Sequence, residues 1–251
     1  MADVGPIARA LAVIRVLSRS SEPLRVKELA DTLGLPMSTS HRYLDLLVEG
    51  GFVEKDSQHR YSIGAELLLA ARAIMEKPSL FSSAPSVLDD VNSSTGEAAV
   101  FNLYSRRHKV VSYVASSRCR QQPSWTLKLD RQQPLAWGAS GLAMLAFLPE
   151  RTQREIIRRS ESSPAKGVLL DPGMMKNKLK EIRLRGYAVT QEERIPGAAG
   201  IAVPILQRNE VAGSMGLIIP LGRFERRMCD DYGQVLKEAA RQALAVVESA
   251  H

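Results

Sequence analysis

Four side chains able to grip a polyanion stand within the run "MSTSHRYLDL": Ser38, Thr39, His41 and Arg42. Two hydroxyls, an imidazole and a guanidinium are the groups that bind phosphate oxygens and reach base edges in a DNA groove. A second run, Gly138-Ala139-Ser140-Gly141, opens an apolar helical segment. The N–H groups of a first helical turn, with the helix dipole, favour a small carboxylate there. The same run falls one residue short of a nucleophile elbow, because Gly-x-Ser-x-Gly would require glycine where Leu142 stands. Glu192 and Glu193 are adjacent on an expected strand end, so they diverge rather than converge as an acid and a base. No GxxxxGK[ST] or GxGxxG motif is present. Cys119 and Cys229 lack CxxC spacing, and His41, His59, His108 and His251 form no HxxxH or HxH pair. Neither a metal, a cofactor nor an enzymatic activity is expected.

The first cluster needs a scaffold, and the preceding residues supply one. Ile7, Leu11, Ile14 and Leu17 recur at helical spacing, with Arg9, Arg15 and Arg19 off that face. Ser21-Glu22-Pro23 breaks this helix, and "RVKELADTLG" gives a short second one with Val26, Leu29, Ala30 and Leu33 inward. Gly34 ends it, since glycine enters the left-handed conformation without steric cost. Leu35-Pro36 begins a third helix, with proline in the first turn. Ser40, Tyr43, Leu44 and Leu47 form its buried stripe, which leaves Ser38, Thr39, His41, Arg42 and Asp45 outward. After "EGG", two short β runs, 52–54 and 60–63, flank the polar turn "KDSQH" and form a wing. Lys55, His59 and Arg60 would project from it toward a DNA backbone or minor groove. Arg25 and Lys27, at the head of the second helix, complete the candidate DNA contacts. Three helices and a hairpin also describe a small domain with a merely solvated outer face; the order of the elements favours DNA.

Charge does not decide the matter. The formal charge of the 251 residues is +7, yet residues 1–77 hold ten Lys/Arg against ten Asp/Glu, so the excess lies entirely beyond them. The apolar runs are broken by charge well short of the roughly 20 residues of a bilayer span. The N-terminus carries acid and arginine through its apolar stretch and has no small-residue cleavage site, so a cytoplasmic protein is expected.

The segment "GLPMSTSHRYLDLLVEGGF" resembles the winged helix-turn-helix of the IclR family of bacterial transcription regulators, whose pattern is GLPxSTxHRxLxxLxxxGF. Two positions depart from it. Met37 stands where relatives often carry a basic residue, and Ser40 occupies a core position usually held by Val or Ala. Following the wing, Leu67, Leu68, Ala71, Ile74 and Met75 lie at helical spacing up to Pro78. The resemblance implies a linker helix that contributes to dimerisation. The expected organisation is a DNA-binding domain at 1–64, a linker helix at 65–78 and an effector-binding domain at 79–251.

Residues 79–251 alternate strand and helix patterns. "EAAVFNLYS" and "KVVSYVASS" read as one hairpin, and "GIAVPIL" and "VAGSMGLIIP" as another. "MMKNKLKEIRLRGYAV" reads as a helix leading through Gly186 into a strand, and the chain closes on a long helix. This is an α+β pattern, expected as a sheet covered by helices on one side. "QPLAWGASGLAMLAFLP" and "RGYAVTQEERIPGAAGIAVPI" resemble two motifs of the IclR family's GAF-like effector domain. Carried over by position, the resemblance nominates Trp137, Gly138, Ala139, Thr190, Gln191 and Gly200 as effector contacts, beside Ser140 in the same helix opening. Small residues at several of these positions and an aromatic wall at Trp137 would suit a larger, partly apolar or aromatic carboxylate. Core packing explains Trp137 equally well. The resemblance thus implies a ligand-responsive regulator that binds double-stranded operator DNA as a homodimer or dimer of dimers. A small-molecule enzyme or a protein-interaction adaptor on the same scaffold are the competing readings.

Overall fold

The computed structural model describes residues 5–117 and 132–248, which fall into two units dividing after Lys77. In the first, helix α1 (Pro6–Leu17) leads through β1 (Leu24–Arg25) to α2 (Val26–Leu33) and α3 (Met37–Glu49). The wing strands β2 (Val53–Lys55) and β3 (Arg60–Ile63) follow, and then α4 (Ala65–Met75). Val13, Leu17, Leu29, Tyr43, Leu44, Val53 and Tyr61 form the core of this unit. Each buried large side chain contributes about 1.5–3 kcal/mol, which is what holds so small a body together.

Several local expectations shift here. Gly34 does end α2 in the left-handed conformation, at φ 62°. Pro36 lies at the N-cap of α3 rather than inside its first turn. The buried side of α1 runs through Ala10, Val13 and Leu17, while Ile7 and Leu11 are 79% and 55% exposed. That helix is apolar nearly all round, so periodicity could not choose its inner face. The two-residue β1 pairs antiparallel with β3, making the wing a three-stranded sheet in the order β1-β3-β2. So short a strand carries no alternation that could have announced it.

The second unit begins with α5 (Leu80–Thr95), which runs into the hairpin β4 (Ala98–Ser105) and β5 (Val110–Ser116). Beyond residues 118–131 come β6 (Gln132–Pro134), α6 (Ala139–Leu145), α7 (Glu150–Arg158) and α8 (Pro172–Arg185). Strands β7 (Ala188–Gln191), β8 (Ala198–Gln207) and β9 (Glu210–Pro220) and helix α9 (Met228–Glu248) complete it. The six strands form one antiparallel sheet in the order β6-β5-β4-β9-β8-β7. Both expected hairpins are present. The turn of the second places Arg208 and Asn209 at φ 50° and 62°, as a tight hairpin turn requires.

The sheet is covered on both faces, not one. Phe101, Ile201, Val203, Ile205, Met215 and Leu217 pack with α5 and α9. Val111, Ala188, Ala202 and Val211 pack with α6, α7 and α8. Strand β8 shows the cause: "AAGIAVPIL" is apolar at odd and even positions alike, the pattern of a strand buried on both sides. Gly141 of α6 is fixed by this packing, since a Cβ there would lie 2.5 Å from the Leu135 carbonyl oxygen.

Candidate functional site

The polar run of α3 divides as its seating demands. Ser40, Tyr43 and Leu44 are buried, and Met37, Ser38, His41 and Arg42 are exposed. Thr39, expected to face outward, is half-buried at the edge of the stripe. His41 Nδ1 lies 2.8 Å from Asp45 Oδ2 one turn on. With Nδ1 engaged by that carboxylate, Nε2 is the ring nitrogen left for another partner. The Arg42 guanidinium sits 5.6 Å from the Tyr43 ring centroid, a cation–π contact that directs it along the helix surface. Arg25 and Lys27 are exposed, and the Arg25 N–H donates to Glu28 Oε2 at 2.7 Å, tying down the start of α2.

Within the wing, the expected cations differ in availability. Lys55 is exposed, with its ammonium 5.5 Å from the Tyr61 ring centroid. His59, at φ 57°, is exposed in the turn. Arg60 is half-buried, and its Nε donates to Asp56 Oδ2 at 2.8 Å. Backbone N–H donation from Arg60, foremost, holds the Asp56 carboxyl below its ordinary range despite partial desolvation, with the guanidinium adding to the effect. The Arg60 guanidinium is therefore paired within the wing through its Nε.

In the second unit, a cleft opens on the sheet face that carries β7, β8 and β9, bounded by the start of α6. Gly138, Ala139, Ser140, Thr190 and Gly200 line it, together with Tyr113, Glu193, Arg194, Ile195, Leu217 and Ile218. The remaining expected contacts lie elsewhere. The Trp137 side chain is in the core beside α6 and α8, with Nε1–H donating to the Glu161 carbonyl at 2.8 Å, and Gln191 is exposed outside the cleft lining. A Cβ on Gly200 would come within 3.1 Å of Ala139 Cβ, so glycine lets α6 approach β8. Behind Ser140, the fully buried Asn102 donates from Nδ2 to Ser140 Oγ at 3.1 Å and to Ser214 Oγ at 3.2 Å.

The two glutamates do diverge. Glu192 turns to the Gly197 N–H, 3.1 Å away, and to Lys166 at 3.4 Å; those contacts, the Gly197 bond foremost, hold its carboxyl below the ordinary value. Glu193 turns the other way, pairing with Lys178 and accepting from the Gly138 N–H at 3.3 Å. A carboxylate of the chain itself therefore sits where the sequence suggested a ligand's.

Arg194, the next residue along the chain, was not anticipated. Its Nη2 donates to Gln133 Oε1 at 2.8 Å and its Nη1 to the Trp137 carbonyl at 3.4 Å. The guanidinium lies 5.6 Å from the Tyr113 ring centroid. Burial pushes its pKa down from the usual value, which Tyr113 partly opposes. In sequence, "EER" reads as a locally neutralised charge run; only the opposed turns of Glu192 and Glu193 separate the arginine from them.

These two arrangements have counterparts in known proteins. Residues 6–57 match the IclR helix-turn-helix domain, and residues 72–244 match the C-terminal domain of bacterial IclR transcriptional regulators. The chain is 29% identical over 232 residues to the glycerol operon regulatory protein of Streptomyces griseus, covering 91% of this chain and 88% of that one. It is 22% identical over 243 residues to the transcriptional repressor IclR of Escherichia coli, covering 96% and 89%. The crystal structure of an IclR transcriptional regulator from Alicyclobacillus acidocaldarius aligns with a TM-score of 0.85 at 27% identity, covering 97% of this chain and 99% of that one. An IclR homolog from Microbacterium hydrocarbonoxydans, complexed with 4-hydroxybenzoate, shares the fold with a TM-score of 0.81 at 20% identity over the same shares of the chains. A helix-turn-helix unit followed by a two-faced sheet domain, each matched along its length, makes this chain a member of the IclR family of bacterial transcriptional regulators.

Proposed function

We propose that this regulator reads operator DNA through α3 and the wing, and changes its operator affinity when a small organic acid occupies the cleft on β7–β9. The observation that carries the reading is the division of α3: its buried side locks the helix down while Ser38, His41 and Arg42 stand exposed on one short segment. Arg25, Lys27, Thr39, Lys55 and His59 join them as phosphate or base contacts, with Arg60 acting through the shape of the wing. Helix α4 serves as the linker between a DNA-binding domain at 1–64 and an effector domain at 79–251. No residue of α4 is buried, and its exposed Leu68, Leu69, Ile74 and Met75 support self-association into a homodimer or dimer of dimers. Two half-sites in one operator then supply the surface that a single winged helix lacks. The relative complexed with 4-hydroxybenzoate supports an aromatic acid as one candidate class of effector. Among the described residues no helix is long and apolar enough to cross a membrane, which agrees with action in the cytoplasm.

The enzyme alternative is weaker on chemistry: the Ser140 hydroxyl is paired with the Asn102 amide, which cannot serve as a general base. Fluorescence anisotropy with operator DNA tests the regulator reading. Arg42→Ala should cost roughly 1–3 kcal/mol on the specific site if the guanidinium contacts a base. Lys27→Ala should weaken all sequences alike and lower the salt slope by about 1. Unchanged operator affinity in the Arg42 variant would remove the assignment, and salt-insensitive binding to a protein with none to DNA would favour the adaptor.

A further inference from the structure

Among the described residues, every group bonded to or stacked on the Arg194 guanidinium is neutral: Gln133, the Trp137 carbonyl and the Tyr113 ring. The acids beside it in sequence are engaged elsewhere, Glu192 with Lys166 and Gly197, and Glu193 with Lys178 and Gly138. A largely desolvated cation without a counter-ion is costly, and a carboxylate relieves that cost with charge-assisted, paired hydrogen bonds about twice as strong as neutral ones. The side chain also lines the cleft. It lies across Gly138, where a Cβ would come within 3.3 Å of its Cδ, and the remaining volume is about 40 Å³. That is far less than the roughly 300–1,000 Å³ of a site that holds a drug-sized ligand.

We propose that Arg194 is both the latch of this cleft and the anchor of its effector, and that the effector is a monocarboxylate with an apolar body. The proposal rests on the reading of the cleft as the effector site. The incoming carboxylate takes the guanidinium from Gln133 and the Trp137 carbonyl, and the departing side chain makes the space the ligand fills. Ile195 and Ile218 then face the ligand's body, and Ser140 and Thr190 offer hydroxyls to a polar substituent. One uncompensated cation selects a single negative charge, since a second carboxylate would be buried unpaired. Loss of the Gln133 bond also frees β6 from the loop after β7, a structural change that binding produces directly.

Calorimetry and thermal-shift titration of the full chain test this with acetate, pyruvate, benzoate and 4-hydroxybenzoate, their primary amides, and terephthalate. At least one monocarboxylate should bind at least about tenfold more tightly than its amide and than the dicarboxylate. Arg194→Gln should bring that acid down to the amide's affinity, and Arg194→Lys should retain part of the preference, with circular dichroism confirming that both variants fold. Equal binding of acid and amide, or an acid preference that survives in Arg194→Gln, overturns the anchor while leaving the cleft reading intact. Acid binding unaffected by both Arg194→Gln and a cleft-filling Thr190→Trp overturns the cleft reading itself. Failure of every monocarboxylate to bind the unaltered chain overturns the proposal.

Discussion

Asp56 and Arg60 lock the wing to itself: the carboxylate accepts from the Arg60 Nε at 2.8 Å and, through its other oxygen, from the Arg60 backbone N–H at 2.8 Å. The same oxygen takes the Gln58 N–H at 2.9 Å, and the Asp56 N–H returns a bond to the Arg60 carbonyl at 2.9 Å. One aspartate thus fixes a turn in which His59 holds a positive φ, a conformation that carries strain in any residue but glycine.

A pH response of the wing follows from this. The folded pKa of Asp56 lies below its unfolded value, so the stabilisation is present above about pH 4 and is lost as pH falls through the lower, folded pKa. Protection factors of the Gln58 and Arg60 amides, exchange rates corrected for the intrinsic pH dependence, should fall across that acid window in the unaltered protein. In Asp56→Asn the exchange should be faster throughout and lack the additional acid step.

Ser40 offers a stabilising change. Its hydroxyl is fully buried without a hydrogen-bond partner, as is that of Tyr43 one turn along α3. An unsatisfied buried hydroxyl costs about 1–3 kcal/mol. Ser40→Ala should raise the stability of the first unit by about 1 kcal/mol in urea unfolding, and Tyr43→Phe should do the same or better. A loss of stability in both variants would mean that the hydroxyls are satisfied after all.

The second unit depends on a buried ion pair. Glu97 is 4% exposed and receives two bonds from Arg223, at 2.9 Å from Nε and 2.7 Å from Nη2. Removing only the arginine strands the carboxylate, so Arg223→Met should destabilise this unit by about 3 kcal/mol. The double variant Glu97→Leu/Arg223→Met should recover most of that loss. A double-mutant cycle by thermal unfolding measures the difference, and simple additivity would contradict the pairing.

Tyr187 makes a further titration prediction. Its hydroxyl donates to Asp230 Oδ1 at 2.6 Å. Burial first, and then the bond to Asp230, push its pKa up to about 12. Because the folded value lies above the unfolded one, the stabilisation is complete below about pH 10 and is lost as pH rises through 12. Absorbance of the phenolate should show a tyrosine titrating near 12 that is missing in Tyr187→Phe, a variant expected to lose about 1 kcal/mol at neutral pH.

Local chemistry alone determines much of this protein. Gly34 could only end a helix, "QRNE" could only join two strands, and the stripe of Ser40, Tyr43 and Leu44 seated α3 with Ser38, His41 and Arg42 outward. These features are legible because each follows from the backbone or periodicity of a few consecutive residues. Where a helix is apolar nearly all round, the sequence is silent, and α1 concealed which face of Ile7, Val13 and Leu17 goes inward; β8, apolar at odd and even positions alike, already carried the pattern of a strand covered on both faces. Tertiary structure also decided the partners of charge. Arg60 belongs to Asp56 within the wing, Trp137 belongs to the core beside α8, and Glu193 folds back onto Gly138. Arg194 is left in the cleft because its two acidic neighbours turn to lysines distant in sequence. Electrostatic pairing acts across space rather than along the chain, so which charge stays unanswered is settled only when the fold has brought the others together.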